Sequence, residues 1–110
     1  MVKRYEKDNM IAVLISVGFG AGWSTFNEQY AEEMLYDPFI VDILLQRSKY
    51  GENVSNIILE YVNLKYPGAY TAGIDGLEIT FLKKGTQFNV AEYDGHEQIV
   101  IKDQVPWLTA

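Results

Sequence analysis

The sequence predicts an α+β domain, in which an antiparallel sheet of about four strands carries two or three helices on one face. An apolar run lies near the start at 11–17, apolar residues at helical spacing fill the middle, and apolar and polar residues alternate from Leu77 onward. These three segments give the order β-α-α-α-β-β-β, which is typical of an α+β fold. We expect one domain over 1–110, with 1–9 loosely held.

The first strand is predicted at 11–17. Its apolar residues fall on both faces, as in a central strand that is covered on both sides. After three glycines, Thr25 and Glu28 fit a capping box, in which a hydroxyl and a carboxylate bind free backbone N–H groups. The sequence therefore predicts a helix that begins near Thr25.

Two more helices are predicted in the middle of the chain. Asp37 and Pro38 are typical of an N-cap and a first helical residue, and the helix that they begin is expected to end near Gly51. Apolar residues at helical spacing predict the next helix over 54–65. These helices are expected to cover one face of the sheet.

The C-terminal strands contain a hairpin with an Asp94-Gly95 turn. Counting outward from a two-residue turn places Glu92 opposite Glu97 and Tyr93 opposite His96. Like charges in such a pair are unfavourable, so solvent, a shared proton, a cation or a basic group of a partner must relieve them. Hydrated carboxylates, an acidic hook for Lys or Arg, a divalent metal and a glycosidase pair all stay open.

The glycine-rich loop between the first strand and the first helix is the main candidate binding site. Its glycines match neither the G-x-G-x-x-G pattern nor a phosphate loop, although free N–H groups at a helix start can hold an anion. Trp23 is either a core residue or an exposed aromatic anchor. A small-molecule pocket here would be lined by residues of the loop and the hairpin: Gly20, Gly22, Trp23, Ser24, Tyr93 and Glu97.

Net negative charge is concentrated in one segment of the first half of the chain. Between residues 8 and 46 there is no Lys or Arg, while the remaining nine acids are balanced by nine bases. Such a surface opposes nucleic-acid phosphate and favours a basic partner, or else is only a solvated helix face. The acids in question are Asp8, Glu28, Glu32, Glu33, Asp37 and Asp42.

Composition excludes several function classes. The chain has no cysteine, which rules out disulfides and thiolate metal sites, and no apolar run approaches the length of a membrane span. We expect no catalytic residues, no metal and no cofactor. A nucleophile pair of Ser24 or Thr25 with His96 lacks supporting spacing. A cytoplasmic protein without a secretion signal is expected.

Two segments carry a resemblance to a known group. GAGWSTFN at 20–27 and GTQF-x-x-x-EYDG-x-E at 85–97 resemble small acidic proteins of tailed bacteriophages, in which a GAGWST-W/F-N segment accompanies a G-T-x-F…EYDG hairpin. Phe26 departs from the tryptophan expected there. The resemblance implies a phage accessory protein in the cytoplasm of the host bacterium, and it assigns no catalytic residue.

Three functional hypotheses follow. The first is a non-enzymatic protein that binds and inhibits or redirects a host protein, plausibly a defence component, through an acidic helical face with Trp23 as anchor. The second is sequestration of a nucleotide signal in the glycine loop. The third is a virion or assembly component, and a homo-oligomer is also possible. The expected contact residues are Gly20, Gly22, Trp23, Ser24, Glu28, Glu32, Glu33, Asp37, Glu92, Tyr93 and Glu97.

Overall fold

The computed structural model describes residues 2–102, which form two antiparallel sheets and a set of helices. The first sheet has the order β1-β2-β3, and the second is the hairpin β4-β5. The strands are β1 (Glu6–Lys7), β2 (Met10–Ser16), β3 (Leu77–Lys83), β4 (Phe88–Tyr93) and β5 (His96–Ile101). The helices are α1 (Ala31–Tyr36), α2 (Pro38–Leu45), α3 (Arg47–Tyr50) and α4 (Val54–Lys65).

The predicted mixture of helices and antiparallel strands is confirmed, but one four-stranded sheet is not formed. β2 is the central strand, and its residues 11–16 are all buried. Ala12 and Leu14 belong to the core that the helices cover, whereas Ile11 and Val13 pack with the β4-β5 hairpin. The hairpin forms a separate sheet because the second apolar face of β2 also has to be covered.

The segment 1–9 was expected to be loose, yet residues 6–7 form a strand. Glu6 pairs with Ile11 and Lys7 with Met10 across a turn in which Asp8 and Asn9 both have positive φ. Asp and Asn adopt this conformation more readily than other residues with a side chain. The two residues thus allow the tight turn that places β1 beside β2.

The helix predictions agree with the structure in the middle of the chain, except that the helix expected to reach Gly51 is divided into α2 and α3 at Gln46, and they fail at the first boundary. The helix predicted over 54–65 is α4, and Asp37 caps α2 by accepting N–H bonds from Phe39 and Ile40. The capping box at Thr25 is wrong, because α1 begins at Ala31 after two 3-10 turns. Among the described residues, no helix is long and apolar enough to cross a membrane.

Candidate functional site

The glycine loop, residues 18–22, lies directly against the turn of the β4-β5 hairpin. The N–H of Gly20 donates to the Asp94 carbonyl at 2.5 Å, and the N–H of Gly22 donates to the Gly95 carbonyl at 2.6 Å. All three glycines of the loop have positive φ, which suits residues without a Cβ. The two segments that carry the phage resemblance are therefore neighbours in the fold.

The Glu97 side chain connects the hairpin to the glycine loop through hydrogen bonds. It is only 1% exposed, and one carboxylate oxygen accepts the N–H of Ser16 at 2.9 Å. The other oxygen accepts the N–H groups of Trp23 (2.8 Å) and Thr25 (3.1 Å) and the Thr25 hydroxyl (2.5 Å). A buried carboxylate is stable when donors surround it in this way. We call Glu97 and these three donor residues the Glu97 cluster.

The predicted hairpin register is confirmed, with Glu92 opposite Glu97 and Tyr93 opposite His96. The relief of the two like charges takes a form that the sequence did not predict. Glu97 turns into the protein and receives hydrogen bonds, while Glu92 stays exposed and accepts the Gly95 N–H at 2.9 Å. Hydrogen-bond donors and solvent exposure therefore relieve the pair, and Glu97 is a structural residue.

The loop has little capacity to bind an anion through its backbone. The N–H groups of Gly20 and Gly22 donate to the hairpin, that of Gly18 donates to His96 Nδ1 at 2.8 Å, and that of Ala21 donates to the Gly18 carbonyl. Those of Trp23 and Thr25 donate to Glu97. Phosphate would have to displace bonds that hold the fold together, so the phosphate-loop interpretation of these glycines is not supported.

Trp23 is a core residue, which is the first of the two alternatives stated for it, and its role as an exposed anchor in the first hypothesis is wrong. The side chain is 0% exposed, and its indole N–H donates to the Met34 carbonyl at 2.8 Å. Ser24 is buried as well. The Thr25 hydroxyl donates to Glu97, and His96 Nδ1 accepts the N–H of Gly18. These two side chains therefore bond to the hairpin and the loop and do not bond to each other as a nucleophile and its base would.

The most exposed aromatic side chains of this region are Phe19 and Tyr93. They are 80% and 72% exposed, and their ring centroids lie 6.3 Å apart at the tip formed by the loop and the hairpin. Sequence reasoning selected Tyr93 and missed Phe19. Phe19 stands between Gly18 and Gly20, which both have positive φ. This alternation of glycine and phenylalanine in the sequence is the signal from which the exposure of Phe19 could have been predicted.

Asp37 was expected on the surface and is instead 1% exposed. One of its oxygens caps α2, and the other accepts the hydroxyls of Tyr61 (2.8 Å) and Tyr66 (2.5 Å). Burial, followed by this hydrogen bond, raises the pKa of both tyrosines well above the ordinary value. Because an N-cap at a packed helix junction is enclosed by its neighbours, Asp37 is removed from the predicted contact surface.

Three of the predicted acidic residues do form an exposed group. Glu28 lies on a 3-10 turn and Glu32 and Glu33 on α1, and all three are exposed. Within residues 2–102 none of them forms an ion pair, and the pair recorded there joins Lys84 to Glu6 at 3.2 Å. We call Glu28, Glu32 and Glu33 the acidic surface.

Glu32 borders two open clefts. The first, about 550 Å³, also contains Glu33 together with Lys3 and Lys65, so basic side chains partly balance the acids on that side. The second, about 410 Å³, lies between α1 and β4, and Glu32 is the only charged residue among the described residues that line it. We call the second cleft the side groove; it is lined by Ser24, Thr25, Ala31, Glu32, Leu35, Tyr36, Phe88, Asn89 and Val90.

Comparison of the chain with protein-family models, with curated proteins and with solved structures gave no match.

Proposed function

We propose that this protein acts by binding another protein, and that the side groove with the acidic surface beside it is the contact region. The observation that carries the proposal is the composition of the groove. Leu35, Tyr36, Phe88 and Val90 give it partly apolar walls, and its single charged residue, Glu32, is negative. Apolar contact combined with charge complementarity at the edge is typical of protein interfaces.

The partner segment that fits this region combines apolar and basic side chains. An apolar side chain would occupy the space between α1 and β4, while Lys or Arg residues beside it would meet Glu32 and the neighbouring Glu28 and Glu33. This partner chemistry agrees with the net charge of −6 and with the absence of Lys and Arg between residues 8 and 46. Nucleic acid is disfavoured as a partner by the same charges.

The polar groups of the glycine loop are occupied by internal hydrogen bonds, which favours the side groove over the loop as the binding region. The Glu97 cluster and the loop N–H groups are bonded to one another, as described above. A nucleotide or a substrate would have to compete with those internal bonds. A partner in the side groove would leave them intact.

The sequence resemblance supports a partner from the host bacterium. On this proposal the protein is a phage accessory product of the host cytoplasm that inhibits or redirects a host protein, plausibly a defence component. The segments at 20–27 and 85–97 carry that resemblance, and they supply Ser24, Thr25, Phe88, Asn89 and Val90 to the lining of the side groove. On this proposal the two segments would therefore form part of the contact region.

A capture experiment with matched variants tests the proposal. Tagged wild-type protein is incubated with bacterial lysate at physiological salt, and bound proteins are quantified by mass spectrometry. The acidic-surface variant E28Q/E32Q/E33Q is compared with the control E52Q/E60Q/D75N, which removes the same charge from exposed positions elsewhere. Exposed charge pairs contribute up to about 1 kcal/mol each, so the first variant should lose about tenfold or more of the captured partner, and the control little.

A second variant tests the groove. Val90→Lys places a cation among the apolar walls and should abolish capture while circular dichroism stays unchanged. The proposal is wrong if wild-type protein enriches no partner, if the two charge variants lose the partner equally, or if the folded Val90→Lys variant binds as wild type does.

A further inference from the structure

β3 is an open edge strand, and the direction of its outer hydrogen-bonding groups can be read from the ladder with β2. The N–H of Val17 donates to the Gly76 carbonyl and the N–H of Lys84 to the Asn9 carbonyl. Hydrogen-bonded pairs alternate along an antiparallel ladder, so the even-numbered residues of β3 bond to β2. The backbone groups of the odd-numbered residues, 77, 79, 81 and 83, therefore point away from the sheet.

The middle of this edge lacks the features that usually protect edge strands. β3 is seven residues long, contains no proline, and pairs with β2 in a continuous register without a bulge. Arg47 donates to the Leu77 carbonyl and Thr86 to the Lys83 carbonyl, which covers the two ends. Among the described residues, nothing beyond the ladder bonds to the backbone of Ile79 or Phe81.

Space is available along the same edge. An open cleft of about 500 Å³ adjoins Phe81 and Lys83, and another of about 280 Å³ adjoins Leu77 and Ile79. The Phe81 ring is 38% exposed. Within residues 2–102, the middle of the edge therefore presents unbonded backbone groups at Ile79 and Phe81, an apolar side chain and room for a further strand.

We infer that β3 pairs antiparallel with β3 of a second copy of this chain, about a two-fold axis at Phe81. This axis sets Phe81 opposite the partner's Phe81, so that two exposed rings cover each other. It also sets Glu78 opposite the partner's Lys84, and symmetry repeats that opposite-charge pair. The result is a continuous six-stranded sheet across two chains.

The charges select this register over its neighbour. If the axis passed through Thr80, Glu78 would face the partner's Leu82 and Leu77 would face the partner's Lys83, which places charges opposite apolar side chains. The axis at Phe81 removes both of these mismatches and adds the attractive pair of Glu78 with the partner's Lys84, although Ile79 then faces the partner's Lys83. The inference does not depend on the proposed function, because β3 contributes no residue to the side groove.

Sedimentation equilibrium over a range of protein concentrations tests the inference. Wild-type protein should show a monomer–dimer equilibrium. Phe81→Pro removes an N–H that points outward, so it should leave the bonds to β2 intact and give a monomer. Phe81→Thr keeps that N–H and the preference for a strand, and should retain a weakened dimer.

Charge variants test the register. E78K and K84E each create two like-charge pairs in a homodimer and should be monomeric, whereas an equimolar mixture of the two should form a heterodimer in which both pairs attract. K84E also breaks the pair with Glu6 inside the monomer, so Glu6→Gln, which breaks only that pair, serves as its control and should dimerise as wild type does.

Each of three results would overturn the inference. The first is a monomer at every concentration, and the second is a dimer that persists in Phe81→Pro with native circular dichroism. The third is a dimer whose stability does not change in E78K and K84E, since a dimer of that kind would use another surface or another register.

Discussion

The Glu97 carboxylate accepts the backbone N–H of Trp23 at 2.8 Å, across 74 residues of sequence. The same side chain reaches Ser16 at the end of β2, so one buried residue fixes the strand, the glycine loop and the hairpin relative to each other. Each of the bonded N–H groups would be costly to leave without a partner in the interior. The loop and the hairpin should therefore be ordered or disordered together.

Replacing Glu97 should destabilise the protein strongly. Glu97→Ala leaves several buried donors unpaired and should lower the free energy of unfolding by about 3–5 kcal/mol. Glu97→Gln keeps one acceptor oxygen but turns an NH₂ group toward a donor, and should lower it by about 1–3 kcal/mol. Urea unfolding followed by circular dichroism measures both values.

Glu92→Gln is the control for these variants, because Glu92 is the exposed member of the same cross-strand pair. Its amide oxygen can still accept the Gly95 N–H. Its effect should be within about 0.5 kcal/mol, as for an ordinary surface substitution. Equal losses in Glu92→Gln and Glu97→Gln would show that the buried cluster does not stabilise the fold.

Gly95→Ala should separate backbone strain from steric contact when it is compared with Gly85→Ala. Both glycines have similar positive φ, but a Cβ at Gly95 would lie 2.8 Å from the Ala21 nitrogen, whereas one at Gly85 would meet nothing within 4 Å. Gly85→Ala should cost about 1–2 kcal/mol from strain alone. Gly95→Ala should cost clearly more in the same urea assay, and similar losses would contradict the close approach of the loop.

Trp23 should behave as a buried fluorophore. The second tryptophan, Trp107, is outside the described residues and is removed by Trp107→Phe. In that variant the emission of Trp23 should be at short wavelength and should resist quenching by iodide. Urea should shift the emission to longer wavelength and restore quenching. Efficient quenching of the folded protein would contradict the burial of this side chain and return it to the list of surface anchors.

Stability should fall at alkaline pH because of Tyr61 and Tyr66. Their raised pKa means that the folded protein keeps protons that the unfolded chain has already lost. This contribution is complete below the ordinary tyrosine pKa of about 10 and decreases as the pH rises above that value. Tyr61→Phe/Tyr66→Phe should flatten the decrease in urea midpoint above about pH 10. An unchanged slope in this variant would contradict the stabilising role of the hydrogen bonds from Tyr61 and Tyr66 to Asp37.

The local elements were predictable because their signals are local. The Asp37-Pro38 cap, the spacing of apolar residues in α4 and the Asp94-Gly95 turn each depend on a few adjacent residues. The capping box failed because Thr25 has a distant competitor, Glu97, which takes its hydroxyl and its N–H. The residues next to Thr25 in the sequence do not indicate that Glu97 bonds to it.

The arrangement of the candidate site could be predicted only in part. The small-molecule hypothesis placed residues of the glycine loop and of the hairpin around one pocket, and the two segments do lie side by side, but their polar groups bond to each other. It could not show that Glu97 points inward and Glu92 outward, since both fit the same strand face. It likewise assigned Asp37 to the surface and left Trp23 open between core and surface, because burial at the junction of α1 and α2 depends on how the helices pack.

The long separation between partners has a consequence for biosynthesis. β2 is translated early, yet β3 begins at Leu77 and the carboxylate that bonds to Ser16 comes 81 residues after it. At about 5–20 residues per second, the ribosome needs about 4–16 s to reach that residue. During this interval the apolar strand β2 is exposed on the nascent chain with β1 beside it but without β3 and the Glu97 carboxylate. Production of the protein should therefore depend on chaperones that protect such segments until translation has passed the hairpin.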